Sequence, residues 1–348
     1  MLAGAVLLVA SKDKVLSLES VGYADIETKR PMPTNALCGI ASMSKPIAAT
    51  AVMMLVDEGK VSLDDPVEKY LPEFKGLMVV CEKDDDHVLL KKPKQVLQIR
   101  HLLTHTSGIL YRSPVQEPTL DGLPLRVAVR SYAMMPLQFE PGSKYLYSNG
   151  GINTAACIVE VVSGMPYEKF LDERLFKPLG MRDTTFWPSE QQAKRLCTFY
   201  KANAENNGLV PMLSDRLTYP LTDRIKRHPI PAIGLFSTAR DMVKFCQLFL
   251  NGGVYEGKRY LSEAAVKQMT SKQTAEDQFN YGFGWATGAE GTFSHAGSFR
   301  TFMTVYPKPD VITLLMAQGW GEWPGEEGKK ILPTFDAAAA KLAAALRK

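Results

Sequence analysis

The chain is poor in the groups that carry metal, redox and nucleic-acid chemistry. It has five histidines and five cysteines in 348 residues. No two cysteines form a Cys-x-x-Cys pair, so the spacing for a zinc knuckle or a dithiol centre is missing. Cys38, Cys81, Cys157, Cys197 and Cys246 are scattered and odd in number. They read as small buried thiols in a reducing compartment, with a single disulfide left open. Net charge is only +4, from 41 basic and 37 acidic residues, which points to neither nucleic acid nor a membrane surface. No apolar run reaches the ~18 residues that a membrane span needs. There is no Gly-x-Ser-x-Gly elbow, which argues against an α/β-hydrolase. Repeats and low-complexity linkers are also missing. Leu2 to Ala10 is apolar, but no basic segment precedes it. It runs straight into Ser11-Lys12-Asp13-Lys14 and a second apolar stretch, Val15 to Leu18, which is the pattern of a hairpin rather than a leader. As given, the chain is expected in the cytoplasm; removal of a preceding segment would make it periplasmic or secreted.

What is present suits a globular enzyme, with 45% apolar and 22% charged residues. The length exceeds one ordinary core, so one large domain with an insertion, or two domains, is expected. Strand patterns lie at both ends: residues 4–26, then Phe283 to Ala286, Gly291 to His295, Arg300 to Tyr306 and Val311 to Ala317. Helical patterns fill the middle and flank the strands: 42–58, 123–136, Asn153 to Ser163, Tyr167 to Leu175, Ala239 to Asn251, Ser262 to Thr270, and an alanine-rich tail from Leu332 to Leu346. Residues 77–100 read as a hairpin with Asp84-Asp85-Asp86 at its tip. Gln191 to Pro231 is proline-punctuated and reads as loops over a cleft. The expected fold class is therefore α/β of the α+β type. An antiparallel sheet flanked by helices is built from 1–64 and 232–348, and a mostly helical region, 65–231, is inserted into it.

Ser42-Met43-Ser44-Lys45 opens the apolar run Pro46 to Val56. On a helix, positions i and i+3 share a face, so Ser42 Oγ and Lys45 Nζ come side by side. A serine hydroxyl needs a neighbour to take its proton, and a buried lysine can do so. Tyr147-Ser148-Asn149 follows a turn at Glu140-Pro141-Gly142; a tyrosine beside a cation can serve as general base. His295-Ala296-Gly297 sits on a late strand, where glycine lets a substrate backbone lie along the strand edge. The Ser298 amide could pair with that of Ser42 as an oxyanion hole. Gly234 to Asp241 is a tight loop feeding a helix. His101 and His105 stand at i and i+4, but Leu102 takes the place of the glutamate of a zinc-protease helix; they read as capping and packing residues. Gly252 to Lys258 matches Gly-x4-Gly-Lys, but Arg259 replaces the Ser/Thr of a phosphate loop.

Taken together, these stretches resemble the serine β-lactamase/penicillin-binding-protein superfamily. Within it, the chain is similar to the branch with class C β-lactamases, D-Ala-D-Ala carboxypeptidases and family VIII carboxylesterases. The resemblance rests on Ala41 to Pro46, Leu102 to Gly108, Phe139 to Asn149, Pro178-Leu179-Gly180-Met181, Gly234 to Asp241, and His295-Ala296-Gly297, in family order over nearly the whole chain. It implies a β-lactamase/transpeptidase-like fold with the site in a cleft between sheet and helical regions. It also implies Ser42 as nucleophile, Lys45 and Tyr147 as proton-transfer groups, and the amides of Ser42 and Ser298 as oxyanion hole. Asn149, His295, Gly297, Arg300 and Trp320 are the expected substrate contacts. No metal or cofactor is implied.

The third motif departs from class C β-lactamases, which have Lys-Thr-Gly where this chain has His295-Ala296-Gly297. That lysine helps to bind the carboxylate of β-lactams. The expectation is therefore a carboxylesterase acting on small-molecule short-chain esters, with weak β-lactam hydrolysis. A D-amino-acid peptidase or carboxypeptidase is the first alternative, and a penicillin-binding sensor that acylates without turnover is the second. Trp285, Trp320 and Trp323 are candidates for a pocket wall or for sheet packing. Oligomeric state is not legible.

Overall fold

A computed structural model of the protein describes residues 2–205, 208–212, 219–320 and 325–345. Trp323 and Leu346 lie outside the described residues. Seven antiparallel strands form the main sheet: β1 (Gly4–Ala10), β2 (Val15–Asp25), β3 (Arg30–Pro31), β4 (Ala286–Thr287), β5 (Phe293–Gly297), β6 (Thr301–Tyr306) and β7 (Val311–Ala317). Their spatial order is β4-β5-β6-β7-β1-β2-β3. The two ends of the chain thus meet in mid-sheet, with Ala5 opposite Ala317 and Ala10 opposite Ile312.

Side-chain alternation explains why both faces are covered. Val6 and Leu8 of β1 share the main core with Ile312, Leu314 and Met316 of β7. Helix α5 (Ala239–Leu250) packs into that core through Met242, Phe245, Cys246 and Phe249. On the other face, Val9 and Val311 meet Ala339 and Ala343 of the C-terminal helix α6 (Gly325–Ala345). Thr313 Oγ1 donates to Asp336 there at 2.8 Å. Among the described residues no helix is long and apolar enough to cross a membrane.

Helix α1 (Ser44–Asp57) is buried from Ser44 to Leu55, as its nearly unbroken apolar composition requires. It packs on α4 (Asn149–Ser163). Helix α2 (Ile99–Leu103) also lies against α4, and α3 (Leu125–Ala133) completes that side. The hairpin is present as Val79–Lys83 and Val88–Lys91 with an exposed acidic tip. All five cysteines are free thiols; Cys81 is exposed on that hairpin, while the Cys38 and Cys197 sulfurs lie 3.9 Å apart in the interior.

Three local expectations shift. Phe283 to Trp285 is not strand: Gly284 turns at φ +81° against Ala49, and Trp285 is buried among Phe245, Phe249 and Phe293. Packing overrides the strand pattern there. The stretch after Gln191 carries a small sheet, in which Tyr200–Ala202 pairs with Leu209–Pro211 and, in parallel, with Gly319–Trp320. Helix α4 begins at Asn149 rather than Asn153, because Ser148 caps it by accepting the Gly151 N–H at 3.0 Å.

The segment leading to Ala232 is pinned by an ion pair. Arg227 Nε meets Asp121 Oδ2 at 2.6 Å, with both side chains almost wholly buried. His228 N–H also donates to the Asp121 carbonyl at 2.7 Å. Arg227→Met leaves a buried carboxylate without its cation. Equilibrium urea denaturation should show a loss of about 3–5 kcal/mol; a loss under ~1 kcal/mol would mean that Asp121 is satisfied without the arginine.

Candidate active site

Ser42 sits in a tight 3-10 turn, Ala41–Met43, that leads directly into α1. Ala41 has φ +44°, a left-handed conformation that costs an alanine energy and has to be held in place. Ser44 holds it, donating from Oγ to the Ala41 carbonyl at 2.7 Å. Ile40 N–H donates to Leu235 O at 2.9 Å, which ties the turn to the Gly234 loop.

Lys45 has no exposed surface. Its Nζ lies 3.1 Å from Ser42 Oγ, 2.8 Å from Asn149 Oδ1 and 3.1 Å from the Ala232 carbonyl. The last two oxygens can only accept, so Nζ donates to both. The contact with Ser42 Oγ can run either way: an ammonium donates there, and a neutral amine accepts the serine proton. One cradle therefore fits both proton states without a change of position.

Tyr147 is half-buried, and Lys45 Nζ lies 4.5 Å from its ring centre. The Asn149 side chain is buried, and among the described residues its Nδ2 has no hydrogen-bond partner. Ser42, Lys45, Tyr147 and Asn149, legible as two separate motifs, are thus brought together.

The third motif is arranged differently from a simple substrate wall. His295 Nδ1 lies 2.9 Å from the Ala296 carbonyl, which can only accept, so Nδ1 carries the proton. Nε2 then accepts from the Tyr281 hydroxyl at 3.0 Å. Burial, and then the charge of Lys45, push the His295 pKa down to about 3, so the ring is neutral. Burial pushes the Tyr281 phenol well up, keeping the donor protonated. Gly297 is demanded by the protein's own backbone, since a Cβ there would collide with Ile40 O and Thr301 Oγ1. Thr301 Oγ1 donates to that Ile40 carbonyl at 3.2 Å, joining the strand pair β5–β6 to the Ser42 turn. Strand β4 covers β5 only at Phe293 and Ser294, leaving His295 to Gly297 beyond that pairing.

Ser298 is exposed, just past β5. Arg300 lies away from solvent at φ +61°, and its Nη2 donates to the Trp320 carbonyl at 3.2 Å. Trp320 is half-buried and packs near Phe299 in a small apolar cluster with Leu37, Ala41, Phe199 and Phe236. Trp285 is wholly in the core.

Tyr281 and Ser44 escaped the sequence reading. Tyr281 belongs to no recognisable motif, while Ser44 is visible only as the variable position of Ser-x-x-Lys. His101 caps α2, its Nδ1 accepting the Gln98 N–H at 3.1 Å. Among the described residues no group of three or more His, Cys, Asp or Glu could hold a metal.

The buried neutral histidines set a pH dependence. An unfolded histidine titrates near 6.5, whereas burial holds His101 to about 4 and His295 to about 3. The unfolded chain then binds protons that the fold refuses. Stability is full above pH ~6.5 and falls as pH drops through that window, by about 1.4 kcal/mol per pH unit for each histidine. His295→Gln should flatten the fall in melting temperature between pH 6 and pH 4 relative to the parent protein. An unchanged slope would show that His295 protonates within the fold.

A family model described as Beta-lactamase matches residues 1–332. Protein Rv1367c of Mycobacterium tuberculosis is 30% identical, over 91% of this chain and 86% of that protein. Esterase EstB of Burkholderia gladioli is 36% identical over 55% of this chain and 49% of its own. A putative D-alanyl-D-alanine carboxypeptidase of Salmonella schwarzengrund is 27% identical over 86% of this chain and 75% of its own. Among solved structures, EstCE1, a hydrolase with promiscuous acyltransferase activity, superimposes with a TM-score of 0.77 at 23% identity, covering 98% of this chain and 93% of its own; at that identity the likeness is one of fold. With the Ser42–Lys45 pair at the head of α1 and a family match over nearly its whole length, the chain belongs to the Beta-lactamase family, within the serine β-lactamase/penicillin-binding-protein superfamily of hydrolases.

Proposed function

We propose that this hydrolase works through an acyl-enzyme on Ser42 and that short-chain carboxylic esters are its preferred substrates. The observation that carries the reading is the Lys45 cradle, which holds Nζ 3.1 Å from Ser42 Oγ in a setting that suits the amine and the ammonium alike. Ser42 Oγ passes its proton to the Lys45–Tyr147 pair and attacks the ester carbonyl. Lys45 Nζ lies over the Tyr147 ring, and the resting base is assigned to the pair. The amides of Ser42 and Ser298 receive the oxyanion. Tyr147 returns the proton to the departing alcohol and then activates the water that frees the acyl group. Asn149 Nδ2, without a partner among the described residues, donates to the substrate. The cleft lies between the sheet unit, 1–64 and 232–348, and the inserted helical region, 65–231.

The preference for esters rests on charge. His295 is neutral and both its ring nitrogens are engaged, and the Arg300 guanidinium is buried against the Trp320 carbonyl. A peptide or β-lactam carboxylate would lack the cation that a third-motif lysine supplies. The other reading, a D-amino-acid peptidase, is favoured by the carboxypeptidase relatives.

The test is a set of initial rates on a short-chain nitrophenyl ester, a D-Ala-D-Ala peptide and a chromogenic cephalosporin, with Ser42→Ala in parallel. The ester should turn over fastest, and Ser42→Ala should lower kcat by at least about 10³-fold. Peptide or cephalosporin rates matching the ester rate would overturn the ester assignment. Activity that survives in the alanine variant would overturn the mechanism, and a burst without a steady state would mark a sensor.

A further inference from the structure

The Thr104-His105-Thr106-Ser107-Gly108 stretch has no part in the chemistry above, yet His105 lies under its centre. Its side chain is fully buried. Its ring centre is 4.3 Å from that of Tyr147 and 4.9 Å from that of Tyr281. The two residues flanking Tyr147 are both tied to it. Leu146 N–H donates to the His105 carbonyl at 2.9 Å, and Ser148 N–H donates to His105 Nδ1 at 3.1 Å. The left-handed backbone of His105, φ +59°, lets its carbonyl and its side chain serve neighbouring amides of one segment.

The protonation pattern follows from that second bond. Nδ1 accepts, so in the neutral ring the proton sits on Nε2. Nε2 is buried, with no hydrogen-bond partner among the described residues. Burial and the nearby charge of Lys45 hold the pKa well below the usual histidine range, so the ring stays the acceptor that Ser148 needs. A phenylalanine would fill the same space without stranding an N–H. The stranded group is tolerated because the acceptor on the other side of the ring is required.

We propose that His105 is a positioning residue for acyl transfer: its carbonyl and its Nδ1 clamp residues 146 and 148, and this fixes Tyr147 and Asn149 against Lys45 and Ser42. The inference rests on the assignment of Ser42, Lys45 and Tyr147 as reacting groups. Asn149 inherits the clamp because Ser148 is the cap of α4 and Asn149 its first residue.

Two amide variants separate the clamp from simple packing. His105→Asn puts an oxygen where Nδ1 stands and tolerates the left-handed backbone. His105→Gln moves that oxygen out to the Nε2 position. Each is assayed with the nitrophenyl ester, its sites counted by the acylation burst and its melting temperature recorded. The asparagine variant should keep kcat per site within about fivefold of the parent, while the glutamine variant should lose on the order of 10- to 100-fold in kcat with KM within about twofold. If the glutamine variant fails to fold, His105→Phe takes its place with the same expectation, because it keeps a ring and removes the acceptor. Values of kcat for the two variants within about threefold of each other would overturn the clamp, whether both are active or both impaired. Absence of a Ser42-dependent burst in the parent protein, with ester or cephalosporin, would overturn the functional assignment instead.

Discussion

A lysine amine with no exposed surface has to be surrounded by oxygen, whatever its charge. Lys45 Nζ meets oxygens from three stretches of chain that are remote from one another in sequence: Ser42 on its own turn, Asn149 at the head of α4, and Ala232 in the loop before Gly234. That demand explains why α1 and α4 pack together at their N-terminal ends. It also explains why the loop through Ala232 is anchored by the buried Asp121–Arg227 pair.

The other parts of the site approach this centre through backbone contacts. Strand β5 reaches the Ser42 turn because Gly297 has no Cβ to keep Ile40 away. The Gly234 loop reaches it through Leu235 O and Ile40 N–H, and the 107–110 segment comes close to α4 because Gly150 and Gly151 open the first turn of that helix. The ring series Tyr147, His105 and Tyr281 fills the remaining space and carries the contact on to His295. Few of these contacts involve long flexible side chains, so the geometry is largely that of the fold itself.

Much of this could be read from the residues. Val311–Ala317 was legible to the residue, because a β-branched apolar run bounded by a turn has few other readings. The gathering of Ser42, Lys45, Tyr147 and Asn149 was legible because their two short motifs restrict both residue type and spacing. The start of α4 was hidden by Gly150-Gly151, which look like a turn and instead admit neighbouring backbone. Tyr281 was hidden because its importance lies in a partner, His295, that only tertiary structure supplies. Arg300 and Trp320 were visible as chemistry, but their orientation depends on a left-handed residue and a short parallel strand pair that no periodicity announces. His105 stood within a recognisable motif, and its two bonds to the Tyr147 segment are long-range.

The pairing of β1 with β7 bears on how the protein comes into being on the ribosome. Ala5 emerges early and waits for Ala317. Until then β1 has an unfilled edge of unsatisfied amides, the kind of surface that chaperones shield. Strand β5, which abuts the Ser42 turn, is likewise made late. A nascent chain therefore carries the Ser42 turn, α1 and α4 long before β5 is made to close against them, so the site is assembled only after that strand has followed.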